Sequence, residues 1–212
     1  MSGSAMDLAW LDQAESIKAI LQAWYPGAEG GTAVARVLFG ETSPSGRLPV
    51  TFYRSEEEIP PYEDYSMKNR TYRYMKEEAL YPFGFGLSYT SFRYRDLECV
   101  PAGDGSVSVS VKVRNEGPAD GEEVVQVYVK NLDSSLAVRN HSLCAFARVS
   151  LAKGQEREVS FCLSGLAFCV VDQDGERRLD GHRYDIYAGG SQPDGRSCLL
   201  MGSEPLRARV EL

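Results

Sequence analysis

The sequence predicts an α+β segment over residues 1–90, followed by an all-β, immunoglobulin-like sandwich over residues 91–212. Three observations carry this reading. A short apolar run, a Gly-rich turn and a helix-period stretch follow one another over residues 17–39, as in one βα unit. After residue 91 the apolar period becomes two, broken by frequent turn residues, as two packed sheets require. The regular structure before residue 90 is too sparse to hide its own apolar faces, so that segment either packs on the sandwich or lacks the partners a βα unit needs.

Residues 17–24 (I-K-A-I-L-Q-A-W) are apolar enough for a buried strand or helix, and pattern does not decide which. Pro26 and Gly27 end the run. Residues 30–39 read as a helix with Ala33, Val34, Val37 and Leu38 on one face and Gly40 as its stop. After a turn at residues 43–46, residues 47–53 resume extended structure, and Pro49 makes it an edge or irregular strand. Residues 56–81 mix charge, proline and aromatics without a period, and read as a long ordered loop.

Strict alternation then sets in. Val107, Val109, Val111 and Val113 share one face, as do Val125, Val127 and Val129, and then Val159, Phe161 and Leu163. Residues 168–171 and 177–179 flank Asp174-Gly175 as a hairpin, and residues 183–188 alternate once more.

Composition narrows the function classes. With 43% hydrophobic and 25% charged residues this is an ordinary globular chain. A net charge of −7 disfavours nucleic acid and anionic membranes as partners, because both need a basic surface. No apolar run reaches the length of a membrane span, and the first residues lack the basic start and apolar core of a signal peptide. Five cysteines, odd in number and never spaced C-x-x-C, read as thiols of a reducing, cytoplasmic compartment, with one disulfide plus a free thiol as the alternative.

Candidate chemistry is thin. Glu63 with Asp64, and Glu29 with Glu41, are the carboxylate pairs that glycoside hydrolysis would call for. Adjacent loop carboxylates are usually solvated, and Glu29 stands at a helix start where a carboxylate is favoured by the dipole. Asp172 to Gly175 opens like a calcium loop but lacks the later ligands, so a turn explains it better. His141 and His182 have no partner at zinc-ligand spacing, so no metal or other cofactor is expected. Gly84 and Gly86 form a tight turn between aromatics, and Ser2 and Ser4 are not part of a nucleophile elbow. The richest polar cluster spans residues 64–74. Its Tyr65, Arg70, Tyr72 and Arg73 could stack on and hydrogen-bond a sugar at a substrate rim, or else build a domain interface, where Tyr and Arg also concentrate.

One set of ordered motifs resembles a known family. W-Y-P-G-A-E-G-G at 24–31, L-F-G at 38–40, P-S-G-R-L-P at 44–49 and Y-P-F-G-F-G-L-S-Y-T at 81–90 are similar to the C-terminal part of glycoside hydrolase family 3. G-S-A-M-D-L-A-W at 3–10 extends the likeness at the start. G-E-E-V-V-Q-V-Y-V at 121–129 and G-G-S at 189–191 resemble that family's fibronectin type III-like domain. The likeness covers nearly the whole chain, and residues 62–74 resemble the β-xylosidase branch most, with β-glucosidases the near alternative.

The resemblance implies a parent built from a barrel-like domain, an α/β sandwich and a fibronectin-like module. Such an enzyme acts by retention, through an aspartate nucleophile of the barrel and a glutamate acid/base ahead of the W-Y-P-G segment. Neither position matches a residue of this chain, so no catalytic residue is carried over. Residues 1–90 would be the closing part of the α/β domain with its linker, and residues 91–212 the module. The expectation is a C-terminal fragment of an exo-acting β-glycosidase that removes terminal xylose or glucose, inactive alone, with the missing domains of the same polypeptide as its partners. A non-catalytic carbohydrate-binding or docking module is the alternative, and an accessory subunit complementing a separate barrel is a third.

Overall fold

The computed structural model describes residues 3–12 and 14–212, so Met1, Ser2 and Gln13 lie outside the described residues. The sandwich pattern folds as its alternation dictates. β1 (Phe92–Pro101), β2 (Val107–Asn115) and β5 (Glu156–Leu163) form one sheet in the order β1-β2-β5. β3 (Gly121–Asn131), β4 (Ser142–Leu151), β8 (Arg183–Gly189) and β9 (Leu206–Glu211) form the other, ordered β4-β3-β8-β9. β6 (Cys169–Val171) and β7 (Arg177–Leu179) make the expected hairpin, turned at Gly175 with φ +83°. Strand neighbours in all three sheets run antiparallel.

The inward valines of β2 are almost wholly buried, and they pack with Val125, Val127, Val129, Ile186 and Ala188 of the facing sheet. Burying such side chains supplies about 25 cal/mol per Å² of apolar surface and is the main force closing the two sheets. Asp96, at φ +54°, sits in a β1 bulge where the register with β2 shifts.

Three strands of the sandwich, β1, β4 and β9, and a helix were not singled out by the sequence reading. β4 alternates against the usual contrast: its inward Ala145 and Ala147 are small, whereas Phe146 points outward and is exposed. β9 spaces Leu206, Ala208 and Val210 two apart, over a run too short to weigh by pattern alone. The helix, α4 (Gly195–Met201), is capped by Asp194, whose carboxylate accepts from the Ser197 N–H at 3.0 Å, and it stops at Gly202 in the left-handed region.

The first segment carries three short helices: α1 (Ala9–Asp12), α2 (Gly30–Leu38) and α3 (Thr71–Tyr74). The strand half of the expected βα unit does not form. Residues 17–24 belong to no helix or strand, and residues 17–21 are exposed. An isolated strand has no ladder to satisfy its backbone, and among the described residues no strand pairs with this stretch. α2 does form where its period predicts, and Gly40 (φ +76°) ends it. Its apolar face is only partly covered: Val34 and Val37 are half-buried, whereas Leu38 is 65% exposed and Phe39, just past the helix end, 83%. Glu29 occupies the N-cap position without a side-chain capping bond.

Residues 43–90 behave differently. They run back over the sandwich as a strap, folded on itself by a bridge between Phe52 and Tyr81 and joined to the first segment by a small core of Leu8, Phe52 and Leu80, against which Trp24, Leu48 and Tyr81 pack. No helix among the described residues is long and apolar enough to cross a membrane.

Candidate functional site at the joint of the two segments

β3 is where the strap docks. Its even-numbered residues should face solvent by parity, yet Gln126 and Tyr128 are buried. Gln126 Nε2 donates to the carbonyls of Gly84 (3.0 Å) and Gly190 (2.8 Å), and the Tyr128 hydroxyl donates to Gln126 Oε1 at 2.6 Å. Gly84 sits at φ +78°, and a Cβ there would come within 2.3 Å of Gln126 Oε1. The tight turn expected at Gly84 therefore also serves a close approach of the strap to the sheet.

A buried charge cluster closes the edge of the same strand. Arg47 Nη2 lies 2.7 Å from Glu123 Oε2, Arg47 Nε donates to the Gly190 carbonyl at 3.3 Å, and the Tyr94 hydroxyl donates to Glu123 Oε1 at 3.0 Å. Burial pushes the Glu123 carboxyl up, and the Arg47 guanidinium opposes that shift most strongly. Burial, reinforced by the Glu123 charge, holds the Tyr94 hydroxyl well above its ordinary range, so it stays a donor. Sequence reasoning missed this cluster. The signal was present: Glu123 shares parity with Val125, Val127 and Val129, and a carboxylate on the apolar face of a strand demands a cation.

The four residues singled out at 64–74 divide in role. Tyr72 stacks on Phe83 with ring centroids 4.4 Å apart, and its hydroxyl accepts from the Leu143 N–H at 2.9 Å. Arg73 Nε donates to Ser142 Oγ at 3.2 Å, and its guanidinium lies 5.7 Å from the centre of the Tyr74 ring. Arg70 turns inward on its own loop: Nη2 donates to the carbonyls of Pro60, Pro61 and Asp64. Tyr65 projects from that loop, 83% exposed. The structure thus brings Tyr72 and Arg73 onto β4 and leaves Tyr65 apart from them.

Two of the four carboxylates weighed for catalysis, Asp64 and Glu41, are engaged locally. Asp64 accepts from the Ser66 N–H at 2.8 Å, and hydrogen bonds from Ser66 lower its pKa. Glu41 lies 3.7 Å from Arg36. Asp172 Oδ1 accepts from the N–H groups of Asp174 and Glu176, which is turn chemistry. Among the described residues no group of three or more His, Cys, Asp or Glu side chains is placed to hold a metal ion.

A polar cleft of about 240 Å³ opens beside the joint. Thr51, Tyr72 and residues 75–79 line one side; Lys130, Asn140, His141, Tyr187 and residues 192–195 line the other. His141 Nε2 is 3.1 Å from Gln192 Oε1, and burial pulls its pKa below 6.5, which keeps the ring neutral near pH 7.

Comparison with known proteins agrees with this arrangement. Residues 1–89 match the glycosyl hydrolase family 3 C-terminal domain, and residues 123–192 match the fibronectin type III-like domain. The chain is similar to a xylan 1,4-β-xylosidase of Xylanibacter ruminicola, 43% identical over 196 residues, covering 91% of this chain and 22% of that protein. It is likewise similar to the thermostable β-glucosidase B of Acetivibrio thermocellus, 39% identical over 211 residues, covering 92% and 28%. Among solved structures, the β-glucosidase of Kluyveromyces marxianus in complex with glucose superposes with a TM-score of 0.84 at 27% identity, covering all of this chain and 26% of that one. The Listeria innocua β-glucosidase in complex with gluconolactone gives 0.79 at 28% identity, covering 99% and 30%. The chain therefore spans between a fifth and a third of the length of these proteins.

Proposed function

Since this chain belongs to glycoside hydrolase family 3, through the C-terminal and fibronectin type III-like domains it carries, we propose that its residues serve a retaining, exo-acting β-glycosidase that removes a terminal β-xylose or β-glucose. Both activities are named among its relatives. The observation that carries the reading is the open apolar face of the first segment. Trp10, Tyr25, Leu38 and Phe39 are each more than 60% exposed, whereas the neighbouring strap is held to the sandwich through Arg47 and Gly84. A face of that kind belongs against further protein, here the barrel and α/β domains of a longer polypeptide.

In such an enzyme this stretch acts as a scaffold. Retention needs two carboxyl groups about 5 Å apart across the scissile bond, and of the carboxylates weighed above Asp64 is held in a turn and Glu41 lies beside Arg36. We infer that these 212 residues do not hydrolyse glycosides by themselves. The odd cysteine count without C-x-x-C spacing supports a reducing, cytoplasmic location.

The test is an assay of the purified chain on aryl β-xylosides and β-glucosides, alone and fused behind the first three quarters of the X. ruminicola relative. Silence alone with hydrolysis by the fusion is expected. Turnover by the chain alone would sink the scaffold reading. A fusion that folds but stays inactive would move the weight to a non-catalytic module.

A further inference from the structure

We propose that the free edge of β4 is an interface between two copies of this chain, joined strand to strand across a two-fold axis. The sandwich has four edge strands: β1 and β5 bound one sheet, β4 and β9 the other. An open edge offers backbone N–H and C=O groups to any extended chain, and proteins blunt such edges with charge, proline or a bulge. Three of these four are blunted. β1 carries four charged residues, a bulge and Pro101. β5 has three charges in eight residues, and β9 has three in six. β4 runs for ten residues with Arg148 as its one charge.

Among the described residues, the backbone of residues 145–150 pairs with β3 alone. The strap covers only the start of β4, where the Tyr72 hydroxyl accepts from the Leu143 N–H and Arg73 reaches Ser142. The register shift of the β3–β4 ladder also falls at that end, between Val127 and Tyr128. Beyond it lies a regular edge that presents Phe146, 69% exposed.

Charge selects both the occupant and the register. The edge has no free charge for a basic or acidic partner to read, because Arg148 is already 3.1 Å from Glu122. A second copy of the strand, laid antiparallel, meets the same neutral groups and closes on itself as a dimer. Residues keep their own face of the continued sheet only where like parities pair. A pairing centred on Phe146 uses just three of the free residues. One centred on Arg148 uses five, but sets two guanidinium groups opposite each other, which is repulsive. One centred on Ala147 pairs residues 145–149 and places Phe146 opposite the partner's Arg148, a ring against a guanidinium plane. That register satisfies the edge and the charge together.

Hydrolysis plays no part in this contact, so the proposal and the glycosidase reading stand or fall separately. The experiment is sedimentation velocity of the chain from about 1 to 100 μM. It is repeated with Leu38→Ser and Phe39→Ser in place, so that the apolar face of the first segment does not contribute. A dimer that grows with concentration is expected in both, with slower amide exchange of residues 145–150 at the high end. Phe146→Lys sets a cation against the partner's Arg148 and should weaken association about tenfold or more. Phe146→Glu sets a carboxylate there and should associate as well as the unmodified chain or better. Phe146 is exposed, so both variants should keep the thermal midpoint. A monomer throughout in the Leu38→Ser, Phe39→Ser background would overturn the proposal. So would Lys and Glu variants that associate equally or are weakened equally. Protection of residues 145–150 in a monomeric fusion with the remaining family 3 domains would assign the edge to those domains instead, and would also overturn it.

Discussion

Arg47 and Glu123 form an ion pair at 2.7 Å in which the two side chains keep only 6% and 2% of their exposure. It joins a residue of the strap to the inner face of the sandwich. Removing one partner strands a buried charge, which costs about 3–5 kcal/mol. Arg47→Met should therefore destabilise by that order, and adding Glu123→Gln should recover much of it. Without Arg47 the strongest opposition to the upward push of burial on the Glu123 carboxyl is gone, and only the hydrogen bonds from Tyr94 and the Val124 N–H still oppose it. A carboxyl whose folded pKa is raised favours the fold at low pH and loses that contribution as pH rises. The penalty of Arg47→Met should accordingly be smaller in mild acid than at neutral pH. Chemical denaturation of both variants across pH checks this, and a pH-independent loss would count against a stranded charge.

Gly84 offers a steric test of the same joint. Its positive φ, and the 2.3 Å and 2.7 Å approaches that a Cβ would make to Gln126 Oε1 and the Tyr128 hydroxyl, leave no room for a side chain. Gly84→Ala should cost about 1–3 kcal/mol. Gly103→Ala, with nothing within 4 Å, should be close to neutral. Equal midpoints for the two variants would show that the strap does not press on β3 in solution.

His141 gives the fold a pH dependence of its own. Burial lowers its folded pKa below the 6.5 of the free side chain. A group depressed in this way contributes stability above its unfolded pKa and loses it as pH falls through the folded value. Stability should drop between pH about 7.5 and pH about 5.5, and His141→Gln should flatten that slope. Denaturation midpoints at the two pH values decide it. An unchanged slope in the variant would place the titrating group elsewhere.

Hydrogen exchange should resolve three tiers. The strands of the sandwich, whose core valines are almost wholly buried, exchange slowest. Residues 43–90, pinned to the sandwich through Glu123 and Gln126 and folded on themselves at the Phe52–Tyr81 bridge, come next. Residues 17–24, which belong to no regular element, exchange fastest. Uniform protection would contradict the picture of a docked strap beside an open first segment.

The open face itself can be probed. Leu38→Ser and Phe39→Ser should change the stability of this chain by no more than about 0.5 kcal/mol while reducing its self-association. Placed in a polypeptide that carries the remaining family 3 domains, each should cost about 1.5–3 kcal/mol, the value of a buried apolar side chain. Identical small effects in both settings would remove the argument that other domains cover this face.

Much of the architecture was written in periodicity, because a strand's two faces are set by its own residues. The valines of β2 and β3, the β6–β7 hairpin at Gly175 and α2 with its stop at Gly40 all follow from local pattern. β4 was not legible, since its inward alanines and outward Phe146 invert the contrast that pattern reading relies on. The strand expected at residues 17–24 failed for the opposite reason: its composition suits a sheet, but pairing depends on a neighbour.

The joint was decided by tertiary structure. Alternation counts one neighbouring layer per strand, and β3 has two: the facing sheet on its valine side and the strap on the side of Gln126 and Tyr128. Glu123 alone announced from the sequence that a partner was needed, by standing at an apolar position. That the partner is Arg47, 76 residues earlier, depends on how the strap crosses the sheet. The sequence by itself determined which residues seek burial and with what period. Only the folded chain decided which polar groups were buried with them, because desolvation depends on what lies across the gap and not on what lies alongside in the chain.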